Sequence, residues 1–136
     1  VDEEQLNRIV AYWVNSENAY DVVDIAKALS LAQRKKDLAI ELFEALIHQL
    51  PETVAAMKND LDHQQINNLL QAVHKLHGLC CYTAVPLLKK ALSKAEIHIK
   101  QHNHLPAEGL AEIIAAAEEL LNWQQQYEFS RQIRAL

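Results

Sequence analysis

The sequence predicts an all-α domain: an antiparallel four-helix bundle with short N-terminal helices covering one end. Two observations carry that expectation. Ala, Leu, Glu, Gln and Lys dominate the composition, and all are good helix formers. Only two glycines and three prolines occur in 136 residues, well below the usual share, so few tight turns and few strands are expected. A third observation sets the count of helices: apolar residues recur at threes and fours in four long stretches, the spacing of one buried helix face. The length suits a single domain, and a half-hydrophobic composition is enough for a core.

Taken in order, residues 3–15 form a short amphipathic pattern with Leu6, Ile9, Val10 and Trp13 on one side, and residues 16–22 read as a connector. Asp24 is placed to cap a second short helix, "IAKALSLAQ", that ends at the basic run Arg34, Lys35 and Lys36. Asp37 then opens a long pattern with Leu38, Phe43, Leu46, Ile47, Leu50, Val54 and Met57 inward. Pro51 lies inside it, but the apolar face keeps its register beyond, which predicts one kinked helix. The run "NDLD" reads as a turn, with Asp62 as N-cap of a helix over residues 63–81 that buries Ile66, Leu69, Leu70, Val73, Leu76 and Cys80. Tyr82 and Thr83 begin a corner. The next helix spans residues 84–101, with Pro86 in its first turn and Val85, Leu88, Leu92, Ala95 and Ile99 buried. After "HNHLP", a last helix starts near Pro106 or Ala107 and buries Leu110, Ile113, Ile114, Ala117 and Leu121. Trp13 and Trp123 read as anchors for the terminal helices.

A net charge of -5 with histidines neutral argues against nucleic acid, which needs a basic stripe to neutralise phosphates. It argues equally against an anionic membrane surface. No run of about 18 apolar residues exists to span a bilayer, and no signal-peptide pattern opens the chain. Val1 in place of a methionine fits a segment of a longer protein. The only cysteines, Cys80 and Cys81, are adjacent; neighbours rarely bridge because the geometry is strained, so a reducing cytoplasm is expected.

Chemistry concentrates in "VHKLHGLCCYT", residues 73–83. At about 100° per residue, the apolar arc centres between Val73 and Cys80. His74 falls on its flank at the solvent boundary, with Gly78 one turn further along, His77 nearer the core and Lys75 outward. Asn67 and Gln71 continue the same face toward the helix start. A helix-interior glycine costs about 1 kcal/mol relative to alanine. Either close helix packing demands it, or it clears space beside His74 for an incoming protein. Lys75 and His77 are placed to support an anionic group carried on His74. A rival reading takes His74, His77 and Cys81, spaced by three and four, as metal ligands for zinc or copper, with His98, His102 and His104 as further ligands if the fold brings them close. A redox role for the cysteines is weaker, since Cys80 faces the core. A plain helical interaction module, with His74 incidental, is the third reading.

The run "AVHKLHGLCCYTAVPLLKKALSKAE", residues 72–96, with "LPETVAAMKNDLD" before it, resembles the histidine-containing phosphotransfer (HPt) domains of bacterial phosphorelays. The signature is a histidine, two residues, a lysine and a glycine on the second helix of a four-helix bundle. The likeness is strongest to the C-terminal HPt domains of hybrid sensor kinases of the BarA/GacS type and covers residues 22–125. The resemblance implies that His74 is the phosphoacceptor and Gly78 the family glycine. His77 stands where most of the family has lysine, so a neutral imidazole offering one hydrogen bond replaces a permanent charge. Ala84 stands where a glycine often follows, which reads as a mild packing change.

The resemblance further implies a phosphocarrier without kinase activity of its own. An imidazole, with a reference pKa of about 6.5, is nucleophilic near neutral pH. It would take the phosphoryl group from one receiver-domain aspartate and give it to another, in-line transfer depending on positioning and charge neutralisation. No cofactor is expected on this chain; Mg²⁺ belongs to the receiver. Receiver domains of a hybrid kinase and of a response regulator are the implied partners, docking around Asn67, Gln71, Lys75 and Gly78 with Gln71, Lys75 and His77 supporting the site. The expected organisation is a linker or helical extension over residues 1–21, the HPt bundle over 22–130 and a tail over 131–136. A cytoplasmic monomer without direct membrane contact is expected, as the C-terminal domain of an inner-membrane sensor kinase.

Overall fold

The computed structural model describes residues 22–136, and every regular element among them is a helix. The expected helix over residues 3–15 and the anchor Trp13 lie outside the described residues. The six helices are α1 (Ile25–Leu31), α2 (Lys36–Asp62), α3 (Ile66–Cys80), α4 (Pro86–His102), α5 (Ala107–Tyr127) and α6 (Phe129–Arg134). Consecutive long helices α2 to α5 pack against one another through short connections, and α2 closes the ring against α5. That is the expected antiparallel bundle.

Local chemistry explains most boundaries. The Asp24 carboxylate accepts the Lys27 N–H at 3.1 Å, capping α1, and the Asp24 N–H donates to the Ala84 carbonyl at 2.9 Å, tying the chain's entry to the α3–α4 corner. Helix α2 runs 27 residues through Pro51 without a break, and Met57 beyond the proline is fully buried. Pro86 takes the first position of α4, where its missing N–H removes no helix bond. Thr83 donates its hydroxyl to the Leu79 carbonyl, so this buried side chain is satisfied.

Four expectations need correction. Asp62 closes α2 instead of capping the next helix: the turn falls at residues 63–65, and Gln65 heads α3 without a side-chain cap bond. Leu38 lies on the solvent side, 37% exposed. On α5 the buried stripe includes Ala116, Leu120 and Trp123, while Ile114 and Leu121 are only half-buried, as are Ile47 and Val54 on α2 and Ile66 and Leu70 on α3. Residues 131–136 are not a loose tail, since α6 inserts Phe129 and Ile133 into the core. Phe129 stacks on Phe43 with centroids 4.2 Å apart and planes at 8°, and Trp123 meets Phe43 edge-on at 5.9 Å. Trp123 therefore anchors the end of the bundle, as expected, and α6 covers that end together with α1.

The scarcity of glycine did not prevent tight turns. Both glycines lie inside helices, yet each connection uses a residue in the left-handed region: Gln33 and Arg34, Gln64, Ala84, Asn103 and Glu128. Side chains other than glycine pay a steric penalty there, asparagine the least. Ala84, at φ 54°, is thus a backbone departure from glycine and more than a packing change.

Candidate functional site

Helix α3 presents two faces. Leu69, Val73, Leu76 and Cys80 are buried in the bundle, while Asn67, Gln71, His74, Lys75 and Gly78 are exposed. His77 and Cys81 fall between, half-buried. The His74 side chain is 73% exposed, so its ring is reachable by another protein.

The ring is nevertheless held in place. Glu96 of α4 sits within its helix's buried stripe, between Leu92 and Ile99, and only 12% of its side chain is exposed. Its Oε1 accepts a hydrogen bond from His74 Nδ1–H at 2.7 Å. The same oxygen lies 3.1 Å from Nζ of Lys100, one turn further along α4. Burial alone pushes the Glu96 carboxyl up. The hydrogen bonds from His74 and Lys100 and their charges outweigh it, holding the group below its ordinary value of 4.5. An ionised carboxylate only accepts. It therefore fixes the proton on Nδ1 and leaves the lone pair of a neutral ring on Nε2, the orientation by a carboxylate typical of working histidines.

Gly78 is resolved by its surroundings. A Cβ added there would meet nothing within 4 Å, so helix packing does not demand the glycine. What it provides is open surface one turn from His74.

The metal reading is not assembled: among the described residues, no three His, Cys, Asp or Glu side chains gather as a metal ion requires. His98 and His102 lie ring to ring on α4, centroids 4.5 Å apart, and do not join His74, His77 and Cys81. The thiol of Cys80 is pushed up to about 12, chiefly by burial and then by Cys81, against the opposing charge of Lys89. At neutral pH it is a protonated core residue, unsuited to redox chemistry. No helix among the described residues is long and apolar enough to cross a membrane.

Glu96 and Lys100 are the site residues that sequence reasoning missed. One signal was available. A glutamate inside an otherwise buried stripe, between Leu92 and Ile99, is unusual unless it is paired.

The fold and site together define a helical bundle that presents one exposed, oriented imidazole, with no metal-holding cluster among the described residues. Comparison with known proteins names that class: the Hpt domain family matches residues 41–126, and the chain belongs to it. The chain is 33% identical over 81 residues to the sensor protein GacS of Pseudomonas syringae pv. syringae, covering 60% of this chain and 9% of that protein. It is 31% identical over 96 residues to the signal transduction histidine-protein kinase BarA of Escherichia coli K12, covering 69% of this chain and 10% of the relative. The crystal structure of the HPT domain from a sensor hybrid histidine kinase from Shewanella superposes with a TM-score of 0.67 at 28% identity, covering 85% of this chain and 97% of that one. The chain thus spans about a tenth of the length of the curated relatives it matches. It is a phosphotransfer domain homologous to those of hybrid sensor kinases, and such domains work with receiver domains in phosphorelays.

Proposed function

We propose that Nε2 of His74 carries the phosphoryl group, taking it from the phosphoaspartate of one receiver domain and passing it to the aspartate of another. The observation that carries this reading is the pairing of an imidazole 73% exposed with a carboxylate behind it. The lone pair on Nε2 attacks phosphorus, the P–N bond forms, and the P–O bond to the receiver's aspartate breaks with its electron pair leaving on the carboxylate. Because Nδ1 already holds its proton, the product is a phosphoimidazolium and no proton moves. Glu96 accepts the Nδ1–H throughout and stabilises the positive charge the ring acquires. The reverse attack, by a second carboxylate, returns the ring to its starting state. Mg²⁺ is expected on the receiver, where it neutralises the phosphoryl oxygens.

The receiver is expected to dock on Asn67, Gln71, Lys75 and Gly78, all exposed around His74. Lys75 and Gln71 would reach the phosphoryl oxygens, with His77 adding one hydrogen bond from the core side. We assign residues 22–130 to the transfer domain, with the docked α6 extending it, and residues 1–21 to a linker or helical extension. The domain is expected to act as a monomer on the cytoplasmic side of a sensor kinase. Incubation with phosphorylated receiver domains tests the reading. Acid-labile phosphate should appear on the wild-type chain and be absent from His74→Gln; label that persists in His74→Gln would reject it.

A further inference from the structure

We propose that Lys100 is a positioning residue that sets the charge of the phosphorylated site through Glu96, a reading that rests on His74 as the phosphoacceptor. Phosphorylation places a second anion on a ring whose other nitrogen already faces the Glu96 carboxylate. The two anions then sit on opposite sides of one imidazole, and each raises the energy of the other. Lys100 is the cation that meets this cost. Its Nζ shares the carboxylate oxygen that holds His74 Nδ1, at 3.1 Å against 2.7 Å. Lys75, beside His74 in sequence, points outward and makes no ion pair with Glu96 among the described residues. The cation paired with Glu96 therefore comes from α4, the helix that carries Glu96 itself.

The consequence is thermodynamic. In the exchange of a phosphoryl group between His74 Nε2 and a receiver carboxylate, one P–N bond replaces one P–O bond and no other reactant enters. Lys100 favours the phosphohistidine side. Because the equilibrium constant compares free partners, it is blind to any contact that Lys100 makes with a docked receiver.

The test is that equilibrium, measured with a purified phosphorylated receiver on wild type, Lys100→Met and Lys100→Arg. Lys100 is 60% exposed at its side chain, so the substitutions leave the core untouched. In low salt, Lys100→Met should hold about threefold less phosphohistidine at equilibrium, the size expected for one unit charge in a largely solvated site. Lys100→Arg should restore it, and the deficit should shrink in about 1 M salt, where screening is nearly complete. An unchanged equilibrium in Lys100→Met, or a deficit that Arg does not restore, overturns the proposal while leaving His74 as the acceptor. A wild-type chain that takes no phosphoryl group overturns both.

Discussion

The two faces of α3 are built by opposite rules. Inward, Leu69, Val73, Leu76 and Cys80 are each at most 1% exposed, and the one ionisable group there, the Cys80 thiol, is pushed up to about 12 by its burial. Outward, six residues earlier, His74 is open to solvent and oriented by an ionised carboxylate. Two potentially nucleophilic side chains on one helix thus have opposite fates. Burial silences one, and exposure with a hydrogen-bonded anchor prepares the other. The outward face also accepts a helix glycine at position 78 that packing does not ask for, trading stability for access.

The largest expected effect lies on the inward face. Leu76→Ala should cost about 2–5 kcal/mol, as for other fully buried leucines, measured by urea unfolding, while the folded fraction still accepts phosphate. Equal loss of transfer per folded molecule would show that the two faces are not independent. Next, Glu96→Gln should slow phosphoryl transfer about tenfold, since a neutral amide stabilises the imidazolium less; single-turnover kinetics decide this.

The same substitution has a pH signature. The folded state holds the Glu96 carboxyl below its ordinary value, so its stabilisation is fully present above that value, near 4.5, and is lost as pH falls through the lower folded value. The melting-temperature gap between wild type and Glu96→Gln should therefore narrow below about pH 4.5. A gap independent of acid would contradict the ion pairing.

Smaller effects sharpen the contrast. A thiol reagent should label half-buried Cys81 in the native protein and reach Cys80 only on unfolding, which mass spectrometry of labelled peptides checks. Gly78→Ala should raise stability by about 1 kcal/mol, the helix propensity difference, because the new methyl meets open space. A destabilised Gly78→Ala would mean the glycine serves packing after all.

Much of this architecture was legible in the chain because helices depend on local periodicity. The stripe through Pro51, the start at Pro86 and the boundary position of His74 all follow from spacing along a single helix. What stayed hidden depends on how helices face one another. Glu96 lies 22 residues from His74, and only the α3–α4 register brings them together. α6 escaped because six residues carry too few repeats for a period, although Phe129 and Ile133 are deeply buried. The boundary at Asp62 was misread because aspartate is a common N-cap, whereas here the left-handed Gln64, at φ 56°, makes the turn two residues later.

The central claim is that Glu96 holds the His74 proton on Nδ1 and leaves Nε2 to carry the phosphoryl group. Nitrogen-15 NMR of the His74 ring, before and after phosphorylation, tests it most directly. The account predicts a protonated Nδ1 in the neutral ring, an unprotonated Nε2, and a phosphorus coupling that appears on Nε2 alone. A ring protonated on Nε2, or a phosphoryl group bonded to Nδ1, would contradict it.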